Sequence, residues 1–330
     1  MRPPSVLRVL LPPAALLVFG HSSPAQIVGG EWRAMWQFDG QSSEDALGYS
    51  IAGIGDVDAD GVPDRAIGAT LASPTGLQGA GSVYVYSGST GTLTWQFDGQ
   101  TKHGNFGMVI AAAGDVDGDG HADLIVGAPY SNPGGLPRAG FATVYSGATG
   151  SILWRFDGQG IDEKMGYSVS GAGDWDSDGF DDVAVGQCPD PASSGSVFVY
   201  SGSTGIQLWQ YDGGARFSFV GRSLARAGDV DGDGVDDLAV GVHSSFSFPP
   251  SGKVILFSGA TRKLIRIHSG PSPGINHGSS IASAGDVNKD GRDDIIVGDY
   301  TAGPGGLFWA GTAQVFCGAT GALIWSVDGA

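Results

Sequence analysis

The sequence predicts an all-β protein, a β-propeller of four-stranded antiparallel blades. Three observations carry the prediction. One unit recurs five times along the 330 residues. Each copy holds four short runs rich in Val, Ile, Tyr, Phe and Trp, bounded by Gly, Asp and Asn. No segment shows a helical period. A four-stranded unit repeated every 55–59 residues is the mark of a propeller blade. One such unit is too small to bury its own core, which argues against a row of independent sandwiches.

The repeat is written in three motifs. The first runs GDVDADGVPDRAIGA, GDVDGDGHADLIVGA, GDWDSDGFDDVAVGQ, GDVDGDGVDDLAVGV and GDVNKDGRDDIIVGD. The second is WQFDG at Trp36 and Trp95, WRFDG at Trp154, WQYDG at Trp209 and WSVDG at Trp325, with RIHSG in the same slot at Arg266. The third is SGSTG, SGATG, SGSTG, SGATR and CGATG. From each of the first five slots a glycine follows after 12 residues and another 20 beyond it. Then 13, 13, 9, 11 and 13 residues lead to Gly81, Gly140, Gly195, Gly252 and Gly311, and a fixed 14 lead to the next slot. All length variation falls in one segment per repeat.

In chain order, residues 1–25 read as a secretory signal: Arg2 and Arg8, an apolar stretch, then Ser23 and Ala25 before a cut. The alternative is an uncleaved anchor, for which the apolar run is short against a span of about 20 residues. Residues 26–330 read as one propeller domain of five repeats, about 41–99, 100–158, 159–213, 214–270 and 271–329, with an extra N-terminal strand at 34–39. In the second repeat, strand A is expected over 108–113, B over 122–127, C over 141–145 and D over 152–156. The SGxTG segment between C and D is a tight hairpin turn. The D-type strand appears six times, and the copy at 322–328 is taken to complete the last blade. A closed five-bladed ring, a fragment of a larger ring and an assembly of two chains all fit this count.

The net charge of −17 argues against nucleic acid as a partner, since phosphate binding needs a basic face. Only Glu31, Glu44 and Glu163 are glutamates among 34 acids, so aspartate is wanted at particular places. Two cysteines, Cys188 and Cys317, are too few for a disulfide framework and are expected as free or buried thiols.

Between A and B each repeat carries D-x-[DN]-x-D-G-x-x-D. Alternate side chains of a tightly curling loop can converge on one point, and the glycine permits the positive φ of the turn. Hard oxygen donors in a flexible loop suit Ca²⁺ better than Mg²⁺. The expected ligands, with a backbone carbonyl at position 7, are Asp56, Asp58, Asp60, Val62 and Asp64; Asp115, Asp117, Asp119, His121 and Asp123; Asp174, Asp176, Asp178, Phe180 and Asp182; Asp229, Asp231, Asp233, Val235 and Asp237; and Asp286, Asn288, Asp290, Arg292 and Asp294. Position 12 of each loop lies in strand B, so these are not EF-hands. Asn288 removes one negative charge from the fifth loop. Up to five structural Ca²⁺ ions are expected, in the extracellular affinity class of about 10⁻⁴–10⁻³ M.

Phe106-Gly107 and Gly127-Ala128-Pro129, with the aspartate loop between them, resemble the FG-GAP repeat. That repeat forms the calcium-binding propeller head of integrin alpha chains and occurs in many bacterial secreted proteins. The resemblance covers roughly residues 31–330 and implies calcium in the A–B loop. Two departures stand out. Integrin heads have seven repeats where five are seen here. The other repeats carry Leu47, Met165, Val220 or His277 before the first glycine, and Thr70, Cys188, His243 or Tyr300 at the last position.

No G-x-S-x-G elbow, H-E-x-x-H or phosphate loop is present, and no catalytic residue is assigned. Strands alternate in direction, so the D–A and B–C loops share one face and the acidic loops share the other. The B–C segments alone vary in length, the usual layout of a recognition surface on a rigid frame. Their aromatics Tyr130, Phe246, Phe248, Tyr300, Phe308 and Trp309 are candidate ligand anchors, with packing onto the propeller as the alternative. The reading is a secreted, non-catalytic adhesion or interaction module for an extracellular protein or glycan. A calcium-dependent polysaccharide lyase or hydrolase is the alternative, and a structural surface-layer role a third.

Overall fold

The computed structural model of the chain describes residues 36–188, 194–214, 219–243, 252–270, 276–304, 307 and 309–329. The expected signal at 1–25 lies outside them.

Twenty strands form five antiparallel sheets of four, each taken in chain order. Blade 1 is β1 (Leu47–Gly55), β2 (Asp64–Ala69), β3 (Ser82–Tyr86) and β4 (Leu93–Asp98). Blade 2 is β5 (Val109–Gly114), β6 (Asp123–Ala128), β7 (Phe141–Tyr145) and β8 (Ile152–Asp157). Blade 3 is β9 (Met165–Gly173), β10 (Asp182–Gln187), β11 (Ser196–Tyr200) and β12 (Gln207–Asp212). Blade 4 is β13 (Val220–Gly228), β14 (Asp237–Val242), β15 (Lys253–Phe257) and β16 (Leu264–Ser269). Blade 5 is β17 (Ser280–Gly285), β18 (Asp294–Asp299), β19 (Thr312–Phe316) and β20 (Leu323–Asp328). The fold is thus the five-bladed propeller that the repeat predicts.

The core lies between blades rather than inside them. Period-two alternation gives each strand two apolar faces, one toward each neighbouring blade. In β3, Val83 and Val85 pack toward blade 2, against Leu124, Val126 and Phe141. Tyr84 and Tyr86 point the other way. Corresponding clusters join blades 2 and 3, blades 3 and 4, and blades 4 and 5. The D strands of the first four blades also send a ring onto the C strand of the next blade: Phe97 on Tyr145 at 4.0 Å, Phe156 on Tyr200 at 3.9 Å, Tyr211 on Phe257 at 4.8 Å and His268 on Phe316 at 4.6 Å.

The two ends of the array differ from its interior. No buried cluster joins blade 5 to blade 1 among the described residues. Ile51 on β1 is 50% exposed, whereas its counterparts Ile110 and Val169 are buried against the preceding blade. Val327 on β20 is 59% exposed, whereas Phe97 in the same position of β4 is 8% exposed.

The strand expected at 34–39 is not a strand over the described residues 36–39. The sheet position beside β3 is already taken by β4, so this segment lies on the blade through its side chains. Phe38 stacks on Tyr86 at 4.0 Å, in the manner of a D-strand aromatic from a preceding blade. The copy at the C-terminus is β20, the fourth strand of blade 5.

Candidate metal centres

Each A–B hairpin curls because its own carboxylates accept backbone N–H groups. In blade 2, Asp115 accepts from Asp119 at 3.1 Å and Gly120 at 3.0 Å, and Asp119 accepts from His121 at 2.9 Å. Gly120 sits at φ +86°, a left-handed conformation that costs a residue without a Cβ nothing. The position-7 residues Val62, His121, Phe180, Val235 and Arg292 all donate their N–H to the position-5 aspartate.

Position 9 is the deepest. Asp64, Asp123, Asp182, Asp237 and Asp294 are fully buried. One oxygen of each accepts the N–H of the loop's second residue: Val57, Val116, Trp175, Val230 and Val287, at 2.7–3.0 Å. The other accepts the N–H of the C–D turn glycine: Gly88, Gly147, Gly202, Gly259 and Gly318, at 2.7–3.0 Å. This residue therefore ties the acidic loop to the SGxTG turn, a coupling of two motifs that spacing alone does not reveal.

Ligand-capable oxygens of positions 1, 3 and 9 lie within 4.8 Å of one another in the first four loops: Asp56, Asp58 and Asp64; Asp115, Asp117 and Asp123; Asp174, Asp176 and Asp182; Asp229, Asp231 and Asp237. The position-5 residues Asp60, Asp119, Asp178 and Asp233 stand outside these groups. In three loops the C–D turn holds that residue through a hydroxyl, Ser89 to Asp60, Ser203 to Asp178 and Ser258 to Asp233. The fifth loop departs. Its close group is Asp290, Asp294 and Cys317, where Cys317 replaces the turn serine. The Asn288 amide donates to Asp290 at 2.9 Å, and Asp286 is not in the group. Both cysteines are buried, and neither is in a disulfide.

Burial pushes the carboxyls of Asp123, Asp182 and Asp237 up to about 7, against the pull of their backbone hydrogen bonds. Asp64 is raised for the same reason. Desolvation also raises Asp117, Asp176 and Asp231, and neighbouring carboxylates add to it. One oxygen of Asp176 is buried with no hydrogen-bond partner. Converging acids that repel, with an orphaned oxygen among them, fit a bound divalent cation. The acidic clusters of the blades can hold metal ions, and their all-oxygen donor set in the first four suits a hard one.

On the opposite face, Tyr130 lies in the B–C loop of blade 2 with the Lys164 ammonium 5.8 Å from its ring centroid. Tyr300 and Trp309 meet edge to face at 6.5 Å, both exposed, and the Asn276 amide donates to the Tyr300 hydroxyl at 3.2 Å. Phe246, Phe248 and Phe308 lie outside the described residues. Two of the WxxDG tryptophans pack between blades: the Trp95 indole donates to the Gly147 carbonyl at 2.7 Å and that of Trp154 to Gly202 at 2.5 Å. No helix among the described residues is long and apolar enough to cross a membrane.

A family model for the FG-GAP repeat matches residues 106–145 and 220–257. Over 214 residues the chain is 32% identical to integrin alpha-4 of Xenopus laevis, covering 61% of this chain and 20% of that protein. Over 210 residues it is 32% identical to integrin alpha-V of Gallus gallus, covering 59% and 20%. The chain thus spans about a fifth of the length of these curated relatives. The solved rhamnogalacturonan lyase YesW aligns at a TM-score of 0.46 and 18% identity, over 83% of this chain and 50% of that one. Matched in two of its five blades and related in sequence over more than half its length, the chain carries FG-GAP repeats on a β-propeller and is similar to integrin alpha chains.

Proposed function

We propose that the chain is a secreted, calcium-stabilised propeller that binds an extracellular protein or glycan through its B–C loops and catalyses no reaction. The observation that carries this reading is the division of labour between the two faces. The acidic loops are clasped to the sheets by buried aspartates on one face. The segments free to vary in length, with Tyr130, Tyr300 and Trp309, lie on the other. Ca²⁺ would be held by positions 1, 3 and 9 of the first four loops, with the position-7 carbonyls of Val62, His121, Phe180 and Val235 as further donors. The metal would supply charge neutralisation and rigidity there, not Lewis-acid chemistry. The similarity to integrin alpha chains supports the reading.

The test is a pull-down and a glycan array, each run with calcium and with EDTA. Binding that is lost on Tyr130→Ala, or on Tyr300→Ala with Trp309→Ala, places the site on the B–C face. Binding lost only on substitution in the acidic loops moves the site to the other face. Turnover of a polysaccharide by the purified chain overturns the non-catalytic reading.

A further inference from the structure

We propose that blade 5 of one chain docks on blade 1 of a second copy, in the slot now filled by residues 36–39, which act as a removable plug. The slot is defined by the interior of the array. A D strand enters the next blade with three contacts. Its ring stacks on the C-strand aromatic, its tryptophan lies over the C–D turn glycine, and its indole N–H reaches a carbonyl of that turn. A Cβ on Gly150 would stand 2.6 Å from the Trp95 ring, and one on Gly205 2.4 Å from the Trp154 ring, so only glycine admits the indole.

Blade 1 owns the same slot, Tyr86 and Gly91, and the N-terminal segment fills it imperfectly. Phe38 stacks on Tyr86, and the Trp36 ring lies 2.5 Å from where a Cβ on Gly91 would be. Yet the Trp36 indole N–H is buried without a partner, and the segment pairs with no strand. An unmade buried hydrogen bond weakens the plug against any occupant that makes it.

Blade 5 carries the missing occupant. Trp325 is 43% exposed, and Val327 beside it is also uncovered. Ser280 is exposed as well. Its counterparts Ser50, Ser168 and Ser223 each donate to a carbonyl of the following blade, Gly107, Gly221 and Gly278, at 2.6 Å. On a second copy, Trp325 takes the Gly91 site with its indole on Gly88, Val327 meets Tyr86, and Ser280 reaches Gly48. The exposed Ile51 of that copy is covered at the same time. Pro63 lacks the N–H that Ala122, Asp181 and Asp293 donate to the preceding blade. The junction of blades 3 and 4 shows no such bond at Asp236 among the described residues, so docking does not require it. Slot and occupant sit on different blades, so the contact is heterologous and joins copies head to tail.

Sedimentation of the full chain tests this. Opening the slot with Trp36→Ala and Phe38→Ala is expected to tighten self-association by about tenfold or more. Adding Val327→Asp returns that protein to a monomer. Mixed with the parent, the triple variant, open in slot and blocked in blade 5, forms a one-to-one complex that stops there. If the double variant loses its native near-UV signal, Phe38→Leu carries the same expectation with a smaller shift. A folded plug variant that stays monomeric overturns the proposal. So does association that survives Val327→Asp, or a plug variant that stays monomeric but shrinks, which would mean that blade 5 closes on its own blade 1.

Discussion

Asp182 shows how one residue serves two ends of a blade. It is fully buried, and its two oxygens accept the N–H groups of Trp175 and Gly202. Asp182→Ala leaves both donors unpaired and is expected to cost about 2–6 kcal/mol, at about 1–3 per orphaned group, in EDTA as well as in calcium. Asp176→Asn removes a charge from the cluster without breaking the clasp, so it lowers stability in calcium and hardly at all in EDTA. Urea denaturation of both variants under both conditions separates clasp from ligand; equal losses in EDTA would mean they do the same work. The acidic motif was legible because five copies stand in register. Which acids converge was not, because position 5 is drawn aside by a turn hydroxyl 25–29 residues away. The buried histidines were equally hidden. His268 and His277 stand where other blades carry Phe97 or Phe106, and burial lowers both, His268 to about 4. Burial lowers His243 to about 4 too, against its bond to the Gly278 carbonyl, with Arg222 lowering it further. Arg266 faces His268, and Asp299 faces His243 and His277. These groups are neutral when folded and titrate near 6.5 when unfolded, so the unfolded chain binds more protons below that value. Stability present above about pH 6.5 is therefore lost as pH falls toward 4. Hydrogen exchange should quicken in β17–β20 before β5–β8 between pH 7 and pH 5, and His277→Phe should blunt the difference.

At the scale of the element, most strands could be read directly, since glycine and aspartate punctuate runs of period two. The second repeat's strands lie within a residue or so of their expected limits, for example Val109–Gly114 against 108–113. The N-terminal copy of WQFDG was the exception. Its sequence is that of a D strand, but strand formation needs a free sheet edge, and β4 holds the one beside β3. The W-x-x-D-G motif thus has three fates: covered strand, exposed strand and side-chain plug. Their energies should differ accordingly. Trp154→Ala empties a packed junction and breaks the bond to Gly202, for an expected loss of about 3 kcal/mol. Trp325→Ala touches an uncovered face and should cost under about 0.5 kcal/mol. Comparable losses from the two would mean that blade 5 is covered in solution.

Among the described residues four packed interfaces join the five blades in a line, so stability is close to a sum of nearest-neighbour terms. A ring would share any defect among all blades; a line lets an end blade leave alone. Blade 5 is the weaker end. Among the described residues it has one packed neighbour, its counterpart to the FG-GAP core holds His277 and Asp299, and its acidic loop has Asn288 for an aspartate. Blade 1 has the plug on its outer side and four acids in its loop. On the proposed calcium reading, the ion at ten times its dissociation constant would add about 1.4 kcal/mol per occupied site, and the first four loops would gain more than the fifth. Calcium should then raise the main melting transition while leaving an earlier, smaller one for blade 5, so the gap between them widens. In EDTA the two draw together at lower temperature. Calorimetry paired with limited proteolysis reads this directly, with first cleavage expected between β16 and β17. One transition that moves as a unit, with no early cleavage there, would show that the end blades are held by a contact this arrangement lacks.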